Sequence, residues 1–470
     1  MMFKTKKPMM LWDNWLYYWN GKYYLFYLAN MEGQPWDSFG VAVSNEAVHW
    51  KDHGIILRKD PKATWMGTGH VWKSTNFAAD KKFIINYSEW HGPNETGQQH
   101  IFFAESTDLL HWTKLGHRFG PDERWYHVNR GDKSRWDTIN PLPRLSGGYY
   151  GFWTATPKSH PAGIGFGESD DGIHWRALPA PDIDWGSNPV PSSIEIGGVE
   201  KLGNKYYNMI GAMFPNAGGG MYLLEASDPA GPYVAVKRNY DLLTSGHGWT
   251  YYSRFFPGPD GLFVNHQSIE DFSKAGMQRV VHVAPIKKAW IDEAGTFFLA
   301  YWERNDGLKD KGWNPTWNGP AKRGELYLQD CLTAIDSKKG IVLESDIAIP
   351  GKESDHVGIF FEVKLPIIGD HVYFAALIGK SGALSLGILD PLDGSFEEID
   401  AVARPHLFNH TGHLRVLNRG GLIEIYLDNI LLQCATMPHP PTGKFGIVAG
   451  PSNTIASAFK QISVWTMQAT

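Results

Sequence analysis

A seven-residue motif recurs in the first half of this chain and sets the length of a structural repeat. Copies stand at residues 44–50 (SNEAVHW), 106–112 (STDLLHW) and 169–175 (SDDGIHW), and a degenerate copy stands at 227–233 (SDPAGPY). Their first residues are 62, 63 and 58 positions apart. Recurrence at a fixed period indicates a repeat architecture, in which each unit buries its hydrophobic face against its neighbours.

Each repeat has the pattern of antiparallel β-strands. Aromatic segments joined by tight turns occur at 16–29, 143–155 and 200–212, with Asn20-Gly21, Gly147-Gly148 and Gly203-Asn204 at the turns. Such residue pairs tolerate positive φ and are typical of β-hairpins. The motif follows the third strand of each repeat and leads into the fourth. Four antiparallel strands in each of five repeats predict a five-bladed β-propeller, with the motif tryptophans packed between blades.

The pattern changes after the fifth repeat. Residues 306–323 are rich in Gly, Pro and charge, which is typical of a linker. Beyond them come apolar or alternating strands separated by turn residues at short intervals, and these predict a concanavalin-like β-sandwich. We therefore expect an all-β chain, a five-bladed β-propeller followed by a C-terminal β-sandwich, with domains at 1–305 and 324–470 joined by a linker at 306–323.

Composition excludes several classes of function. The chain has 44 basic and 49 acidic side chains in 470 residues, a net charge of −5 that favours neither nucleic acid nor a membrane surface. No run of about 18 apolar residues predicts a transmembrane helix. No signal peptide is visible, so we expect a cytoplasmic protein or a processed periplasmic or secreted one. Cys331 and Cys434 are predicted to be free buried thiols, with a single bridge between them as the alternative.

Three carboxylic acids precede the motif at a nearly constant distance. Asp13, Asp137 and Glu195 lie 31, 32 and 32 residues before the first, third and fourth copies. The first strand of every propeller blade lines the central channel, so equivalent points of different blades converge on one pocket. One acid in such a pocket can protonate a leaving oxygen while a second attacks or activates water, which is the chemistry of glycoside hydrolysis. The corresponding positions in repeats two and five fall near Ser74 and Tyr252.

Other side chains near the predicted pocket could bind a sugar. Aromatic rings stack on the C–H faces of sugars, and polar side chains bond to hydroxyl groups. The candidates are Trp12, Trp15, Trp65, His70, Arg135 and Trp136. The chain has neither a Cys/His cluster with zinc spacing nor a P-loop, so we expect no cofactor and no metal; His247 and His266 are the candidates should a cation bind near the axis.

The chain resembles the five-bladed propeller glycoside hydrolases of family 32, which include invertases, levanases and inulinases. The resemblance rests on WDNWLYYWNGKYYLFY (12–27), SRWDTINP (134–141) and IEIGGVEKLGNKYY (194–207), and on late strands at 414–429. It implies that Asp13 is the nucleophile, Asp137 the transition-state stabiliser and Glu195 the acid/base, with Arg135 as a ligand of a sugar hydroxyl. The segment 245–267 is similar to family 43, the arabinofuranosidases and xylosidases.

The resemblance implies a glycosidase that cleaves a non-reducing-end sugar, such as a β-fructofuranoside, by a retaining mechanism. Two alternatives stay open. One is an inverting arabinofuranosidase or xylosidase, in which Asp13 activates water. The other is a non-catalytic carbohydrate-binding propeller. The expected partner is an oligo- or polysaccharide, with no nucleic acid and no membrane, and the oligomeric state is left open.

Overall fold

The computed structural model describes residues 2–93, 97–128, 135–160, 162–214, 218–244, 252–277, 279–336, 338–365, 371–406 and 408–468. The chain divides into two compact units. The N-terminal unit holds the described residues of 3–242 and 251–267, and the C-terminal unit holds the others. Both are all-β, since α1 (Phe77–Asp80) and α2 (Ile455–Ala458) span one turn each. Among the described residues, no helix has the length and apolar character needed to cross a bilayer.

The strands of the N-terminal unit pair mainly with their neighbours in sequence. The first sheet holds β1 (Met9–Trp19), β2 (Lys22–Met31), β3 (Ser38–Ser44) and β4 (Lys51–Arg58). The second holds β5 (Trp65–Lys73), β6 (Phe83–His91), β7 (Gln98–Ser106) and β8 (Thr113–Phe119). The third holds β9 (Trp136–Pro143), β10 (Tyr149–Ala155), β11 (Ile164–Ser169) and β12 (Arg176–Leu178).

A fourth sheet and a further hairpin complete this unit. The fourth sheet holds β13 (Ile183–Asp184), β14 (Ser193–Leu202), β15 (Lys205–Phe214), β16 (Gly218–Ala226) and β17 (Tyr233–Ala235), and β18 (Asp241–Thr244) follows. The strands β19 (Ser253–Gly258) and β20 (Gly261–Glu270) pair antiparallel. The predicted hairpin turns are confirmed: Asn20 and Gly21 have φ of 48° and 78°, and the flanking Trp19 and Lys22 pair across them.

The first strands of these sheets stand side by side in a closed order. β1 packs beside β5, β5 beside β9, β9 beside β14, β14 beside β19, and β19 returns to β1. This order is the arrangement of a β-propeller, in which inner strands surround a common axis. Residues far apart in sequence therefore meet at each end of that axis.

The recurring motif is a turn held by its own side chains. In the third copy, the Ser169 hydroxyl accepts the Gly172 N–H at 2.8 Å, and Asp171 accepts the His174 N–H at 2.7 Å. The Asp171 carboxylate also pairs with the His174 ring at 2.6 Å. Gly172 has a φ of 80°, a left-handed conformation that glycine adopts without strain. The motif ends β11 and leads to β12, as predicted.

The same contacts recur in the other copies. Ser106 and Asp108 accept the N–H groups of Leu109 and His111 at 2.9 and 2.8 Å, and Ser44 accepts that of Ala47 at 2.8 Å. Equal side chains at equal spacing therefore produce equal turns between strands three and four. These residues specify the scaffold and carry no chemistry.

The motif tryptophans pack against the preceding repeat. The Trp175 ring lies edge-on to Trp72 of the second sheet, with ring centroids 6.2 Å apart. Trp112 makes the same kind of contact with Phe26 of the first sheet, also at 6.2 Å. The predicted packing between repeats is confirmed for these two side chains, and it supplies apolar contact between neighbouring sheets.

The C-terminal unit contains β21 (Val280–Val283), β22 (Lys287–Ile291), β23 (Phe297–Tyr301), β24 (Lys309–Trp313), β25 (Ala321–Arg323), β26 (Leu326–Asp330), β27 (Ile341–Ala348), β28 (His356–Lys364), β29 (His371–Ile378), β30 (Leu384–Leu389), β31 (Phe396–Val402), β32 (Thr411–Arg419), β33 (Leu422–Leu427), β34 (Ile430–Thr436), β35 (Pro441–Gly450) and β36 (Phe459–Met467). One sheet has the order β25-β26-β35-β28-β29-β30-β31, and another continues from β22 as β23-β34-β33-β32-β27-β36-β24. Apolar side chains of both sheets, such as Phe361 and Leu343, share one buried core.

Two details of this unit bear on the sequence predictions. Residues 306–323, predicted as a linker, contain β24 and β25, which pair with β36 and β26. The predicted domain boundaries at 305 and 324 stay a prediction. Cys331 and Cys434 are both buried, and neither is in a disulfide, as predicted.

The motif turn gives a testable prediction about stability. Hydrogen bonds from His174 and Ile173 outweigh the opposing effect of burial and lower the pKa of Asp171 to about 2. The ionised carboxylate of Asp171 therefore stabilises the folded state fully above about pH 4, the pKa of an aspartate in the unfolded chain, and this stabilisation is lost as the pH falls toward 2. We expect Asp171→Ala to lower the free energy of unfolding at pH 7 by about 0.5–1 kcal/mol, a modest value because the side chain is half exposed.

Thermal unfolding at several pH values measures this effect. The control is Asp171→Asn, which keeps an acceptor for the backbone N–H groups and loses only the pairing with His174, so its loss should be smaller. A destabilisation by Asp171→Ala that does not shrink at low pH would contradict the assignment.

Candidate active site

A β-bulge interrupts four of the five first strands near the same end. One extra residue lies between Leu11 and Asn14 of β1, and the same occurs at 66–69 of β5, 137–140 of β9 and 196–198 of β14. Bulges change the direction in which nearby side chains point and are frequent beside active sites. This end of the ring is therefore where the strands present side chains toward the axis.

The three predicted acids are all at these bulges. Asp13 lies within the bulge of β1, Asp137 begins the bulge of β9, and Glu195 directly precedes the bulge of β14. Their positions relative to the bulges differ by one or two residues, so they are not strictly equivalent. Ser74, predicted as the equivalent position in the second repeat, is not at this end; it follows the last residue of β5 and donates to Asp80.

Arg135 joins two of the acids. Its Nη2 lies 2.9 Å from Oδ2 of Asp137, and its Nη1 lies 2.8 Å from Oε1 of Glu195. Burial opposes the charge of the guanidinium, but the two carboxylates and their hydrogen bonds outweigh it and raise the pKa of Arg135. The planar fork of arginine suits this double contact, which one lysine could not reproduce.

Asp137 is the most enclosed of the three, with 4% of its surface exposed. Its Oδ1 accepts the hydroxyl groups of Ser88 at 2.6 Å and Thr138 at 3.0 Å. Gly67 of the neighbouring β5 packs against it, and a Cβ there would lie 2.8 Å from Oδ1. The carboxylate is thus fixed in position by several donors, which favours an orienting role over free movement.

Asp13 is the acid whose ionisation is most disfavoured. Burial raises the pKa of Asp13 well above its usual value, and the negative charges of Glu195 and Asp137 raise it further. The cations Arg254 and Arg135 act in the opposite direction. Burial and like charges therefore act together on Asp13, which forms no ion pair of its own among the described residues.

Arg254 is a functional candidate that sequence reasoning missed. This residue of β19 is fully buried, donates to Asn140 at 3.0 Å, and lies against the Tyr252 ring with its guanidinium carbon 4.5 Å from the centroid. It provides positive charge on β19, whereas β1, β9 and β14 provide acids. The sequence did contain a signal for it. Arg254 lies two residues after Tyr252, the position in the fifth repeat that corresponds to the acids of the other repeats.

A cavity of about 490 Å³ opens beside Glu195 and Arg135. Its other walls carry small and hydroxyl-bearing side chains, chiefly Thr154, Thr156 and Ser192. A volume of this size can hold a small molecule, and hydroxyl groups offer hydrogen bonds to a polar one. Glu195, with 22% of its side chain exposed, is accessible from this space.

The predicted aromatic residues separate into two groups. Trp12 and Trp65 are partly exposed and stack on Trp36 and Trp90, with centroids 5.7 and 5.5 Å apart. Trp15 and Trp136 are completely buried in hydrophobic cores. The prediction that Trp15 and Trp136 bind substrate is therefore wrong, because their rings pack against Phe39 and Trp153 instead.

Of the predicted histidines, His70 and His266 are among the described residues. His70 of β5 lines a different cavity, shared with Glu200 of β14. His266 is fully buried on β20, with its Nδ1 3.0 Å from the carbonyl oxygen of Gln267. His247 lies outside the described residues.

Comparisons with known proteins show what the chain is similar to. Residues 3–119 match the family model of the glycosyl hydrolases family 32 N-terminal domain. The expected resemblance to family 32 is confirmed. A crystal structure of sucrose-6-phosphate hydrolase from Lactobacillus gasseri is 15% identical with a TM-score of 0.69, covering 97% of this chain and 91% of that one.

Two further family 32-like structures match along nearly their whole length. β-Fructofuranosidase from Schwanniomyces occidentalis is 12% identical with a TM-score of 0.69, covering 98% of this chain and 96% of that one. Fructan 1-exohydrolase IIa from Cichorium intybus is 13% identical with a TM-score of 0.63, covering 99% and 96%. At such identities the likeness shows a shared fold. None of these matches is to family 43, so the family 43-like features stay a prediction.

The opposite environments of Asp13 and Asp137 generate a prediction. We expect Asp13→Asn to raise the free energy of unfolding at pH 7 by on the order of 1 kcal/mol, because it removes a carboxylate that burial and neighbouring acids disfavour. A raised folded pKa destabilises increasingly as pH rises above the unfolded value near 4, so the gain should diminish toward pH 4. Asp137→Asn should instead cost about 1–3 kcal/mol, because it leaves Arg135 without one of its two carboxylates.

Thermal or denaturant unfolding of the two variants, which differ from the wild type by one atom each, tests the contrast. Equal destabilisation by both would show that Asp13 is as well compensated as Asp137, contrary to the electrostatics described here.

Proposed function

We propose that the protein is a glycoside hydrolase that releases a non-reducing-end sugar, with a β-fructofuranoside as the substrate class. The observation that carries the proposal is the cluster of Asp13, Asp137 and Glu195, with Arg135 bonded to the last two, on a fold shared with fructofuranosidases. We take the hairpin of β19 and β20 as the start of a fifth blade and the C-terminal unit as a β-sandwich.

Glu195 is the acid/base in this proposal. It is partly exposed and borders the 490 Å³ cavity, where the leaving group would lie. The adjacent guanidinium of Arg135 holds the carboxyl in place while the proton passes to the glycosidic oxygen. The hydroxyl groups of Thr154, Thr156 and Ser192 would bind a neutral, hydroxylated leaving group.

Asp13 is the nucleophile and Asp137 the supporting carboxylate. Asp13 attacks as the anion, and the positive charge that develops on the sugar compensates its unfavourable ionisation. Asp137, which Arg135, Ser88 and Thr138 fix in position, is suited to accept sugar hydroxyl groups and to stabilise that charge. Trp12 and Trp65 remain candidates for stacking on the sugar.

Hydrolysis assays test the assignment directly. We expect turnover of sucrose, inulin or levan, and none of nitrophenyl arabinofuranosides or xylosides. Glu195→Gln should lower kcat on the cleaved substrate by about 10²–10⁴-fold, the usual contribution of a general acid, and Asp13→Asn should lower it at least as much. Release of β-fructose as the first product, followed by NMR, indicates retention.

Wild-type turnover by both variants would exclude the catalytic assignment. The α-anomer as the first product would favour the inverting alternative, with Asp13 activating water. Sugar binding by a wild-type protein that hydrolyses none of these glycosides would favour the carbohydrate-binding alternative.

The pH dependence of the reaction gives a separate prediction for Arg254. Because Arg254 lowers the pKa of Asp13, removing its charge should raise that pKa further and reduce the ionised fraction of the nucleophile. We expect the acidic limb of the kcat/KM profile to shift to higher pH by up to about one unit in Arg254→Gln. Arg254→Lys, which keeps the charge, is the control and should leave the limb near its wild-type position. Identical limbs in the two variants would contradict an electrostatic role.

A further inference from the structure

A second cavity lies toward the other end of the first strands. It has a volume of about 260 Å³ and is lined by residues from all five of them, including Tyr17 of β1, His70 of β5, Pro141 of β9, Glu200 of β14 and Phe256 of β19. Glu200 lies five residues beyond Glu195, about 15 Å at the usual rise of a strand. The bulge at 196–198 offsets the strand alternation between them, which allows both carboxyl groups to be directed toward the axis.

Glu200 is an acid in this cavity without a compensating charge. Burial raises the pKa of Glu200 to about 8, and no ion pair or hydrogen bond to another described residue offsets it. Unpaired buried carboxyl groups are costly, and each one calls for a structural or functional reason. Glu195 on the same strand differs in that Arg135 pairs with it.

The walls around Glu200 are formed mainly by aromatic rings and prolines, with one imidazole. Three lining residues, Pro141, Pro143 and Pro257, have no N–H group. The Nδ1 atom of His70 is buried and has no hydrogen-bond partner among the described residues. Burial, together with the nearby charge of Arg254, lowers the pKa of this imidazole to about 3, so the ring is neutral and can accept a hydrogen bond. The aromatic rings of Tyr17, Trp72, Tyr149 and Phe256 also line the cavity.

Lys73 is the cation among the described lining residues, and its charge is engaged elsewhere. Its Nζ lies 4.0 Å from the centroid of Trp19 and 5.1 Å from that of Phe77. Both rings lie outside the set that lines the cavity. The site thus combines a carboxyl group, a free imidazole acceptor and aromatic faces, the groups that recognise an organic cation.

We propose that this end of the channel is a second binding site, for a small protonated amine, with Glu200 as its counter-ion and His70 as a further acceptor. The cavity volume equals that of about eight or nine liquid waters at roughly 30 Å³ each, so one small amine fits and an oligosaccharide does not. The proposal does not depend on the function assigned to the other end.

The pH dependence of binding follows from the groups that share the cavity. The titratable neighbours of Glu200 are Tyr17, Tyr18, His70, Lys73 and Tyr149. Burial and the nearby charge of Arg254 on β19 lower the pKa of His70, burial lowers the pKa of Lys73, and burial raises the pKa of Tyr17 and of Tyr149, so Glu200, whose pKa is raised to about 8, is the group expected to gain charge between pH 6 and 8. Since the amine binds the carboxylate form, its affinity should rise up to tenfold per pH unit across this interval.

Calorimetric titration with benzylamine tests the proposal, and benzyl alcohol, which has the same shape without the charge, is the matched control ligand. We expect benzylamine to bind the wild type more tightly at pH 8 than at pH 6, and benzyl alcohol to bind at least tenfold more weakly. Glu200→Gln should weaken benzylamine binding at least tenfold while its circular-dichroism spectrum and its cooperative thermal unfolding stay like those of the wild type, which verifies its fold. Lys73→Met should leave binding intact or strengthen it.

Asp13→Asn and Glu195→Gln separate the two ends of the channel, because an amine could also approach the other carboxylates. Both variants should bind benzylamine as the wild type does. Loss of binding in Glu195→Gln with binding retained in Glu200→Gln would overturn the proposal. So would the absence of binding to the wild type, or binding to Lys73→Met alone, which would show that Lys73 turns inward and neutralises Glu200.

Discussion

The closed order of the five first strands is the constraint on which the site depends. Because β19 returns to β1, the strands have one common axis, and residues from the beginning of the chain meet residues near position 254. The bulges then direct side chains at one end of this ring toward the axis. The motif turns and the inter-repeat tryptophans recur from repeat to repeat and give the ring its regularity. The three acids do not recur in every repeat, since β5 and β19 carry none.

Gathering three carboxylates in one buried place is unfavourable unless cations accompany them. Arg135 compensates Asp137 and Glu195 directly, whereas Arg254 acts on Asp13 from within the ring. The negative charges are therefore compensated unevenly. Ionisation of Asp13 is disfavoured, whereas an ion pair and hydrogen bonds hold the carboxylate of Asp137 in place. Such asymmetry gives chemically identical groups different roles, since each pKa is set by its surroundings.

The sequence was sufficient to predict the strand repeats, the turns and the occurrence of Asp13, Asp137 and Glu195 on first strands, because these follow from local residue preferences and a constant spacing. It was insufficient for features that depend on packing between strands. The connection between β5 and β6 runs from 74 to 82 and contains α1, whereas Asn20 and Gly21 alone join β1 to β2, so counting from the motif placed the second-repeat position at Ser74, past the far end of β5. Trp15 and Trp136 were candidates for sugar binding because, in a sequence, a tryptophan near an acid is as compatible with a sugar site as with a hydrophobic core. Arg254 required knowledge that the fifth strand closes the ring.

Glu195 and Glu200 show how one strand can carry two different kinds of acid. Both residues are on β14, which lines the axis, and both are partly buried. Glu195 has a guanidinium beside it and an adjoining cavity lined with hydroxyl groups, which suits proton transfer to a neutral leaving group. Glu200 has aromatic rings, prolines and a neutral imidazole around it and forms no ion pair with a described residue, which suits a cationic ligand. The environment of each carboxyl, and not its distance along the strand, therefore determines which ligand it selects.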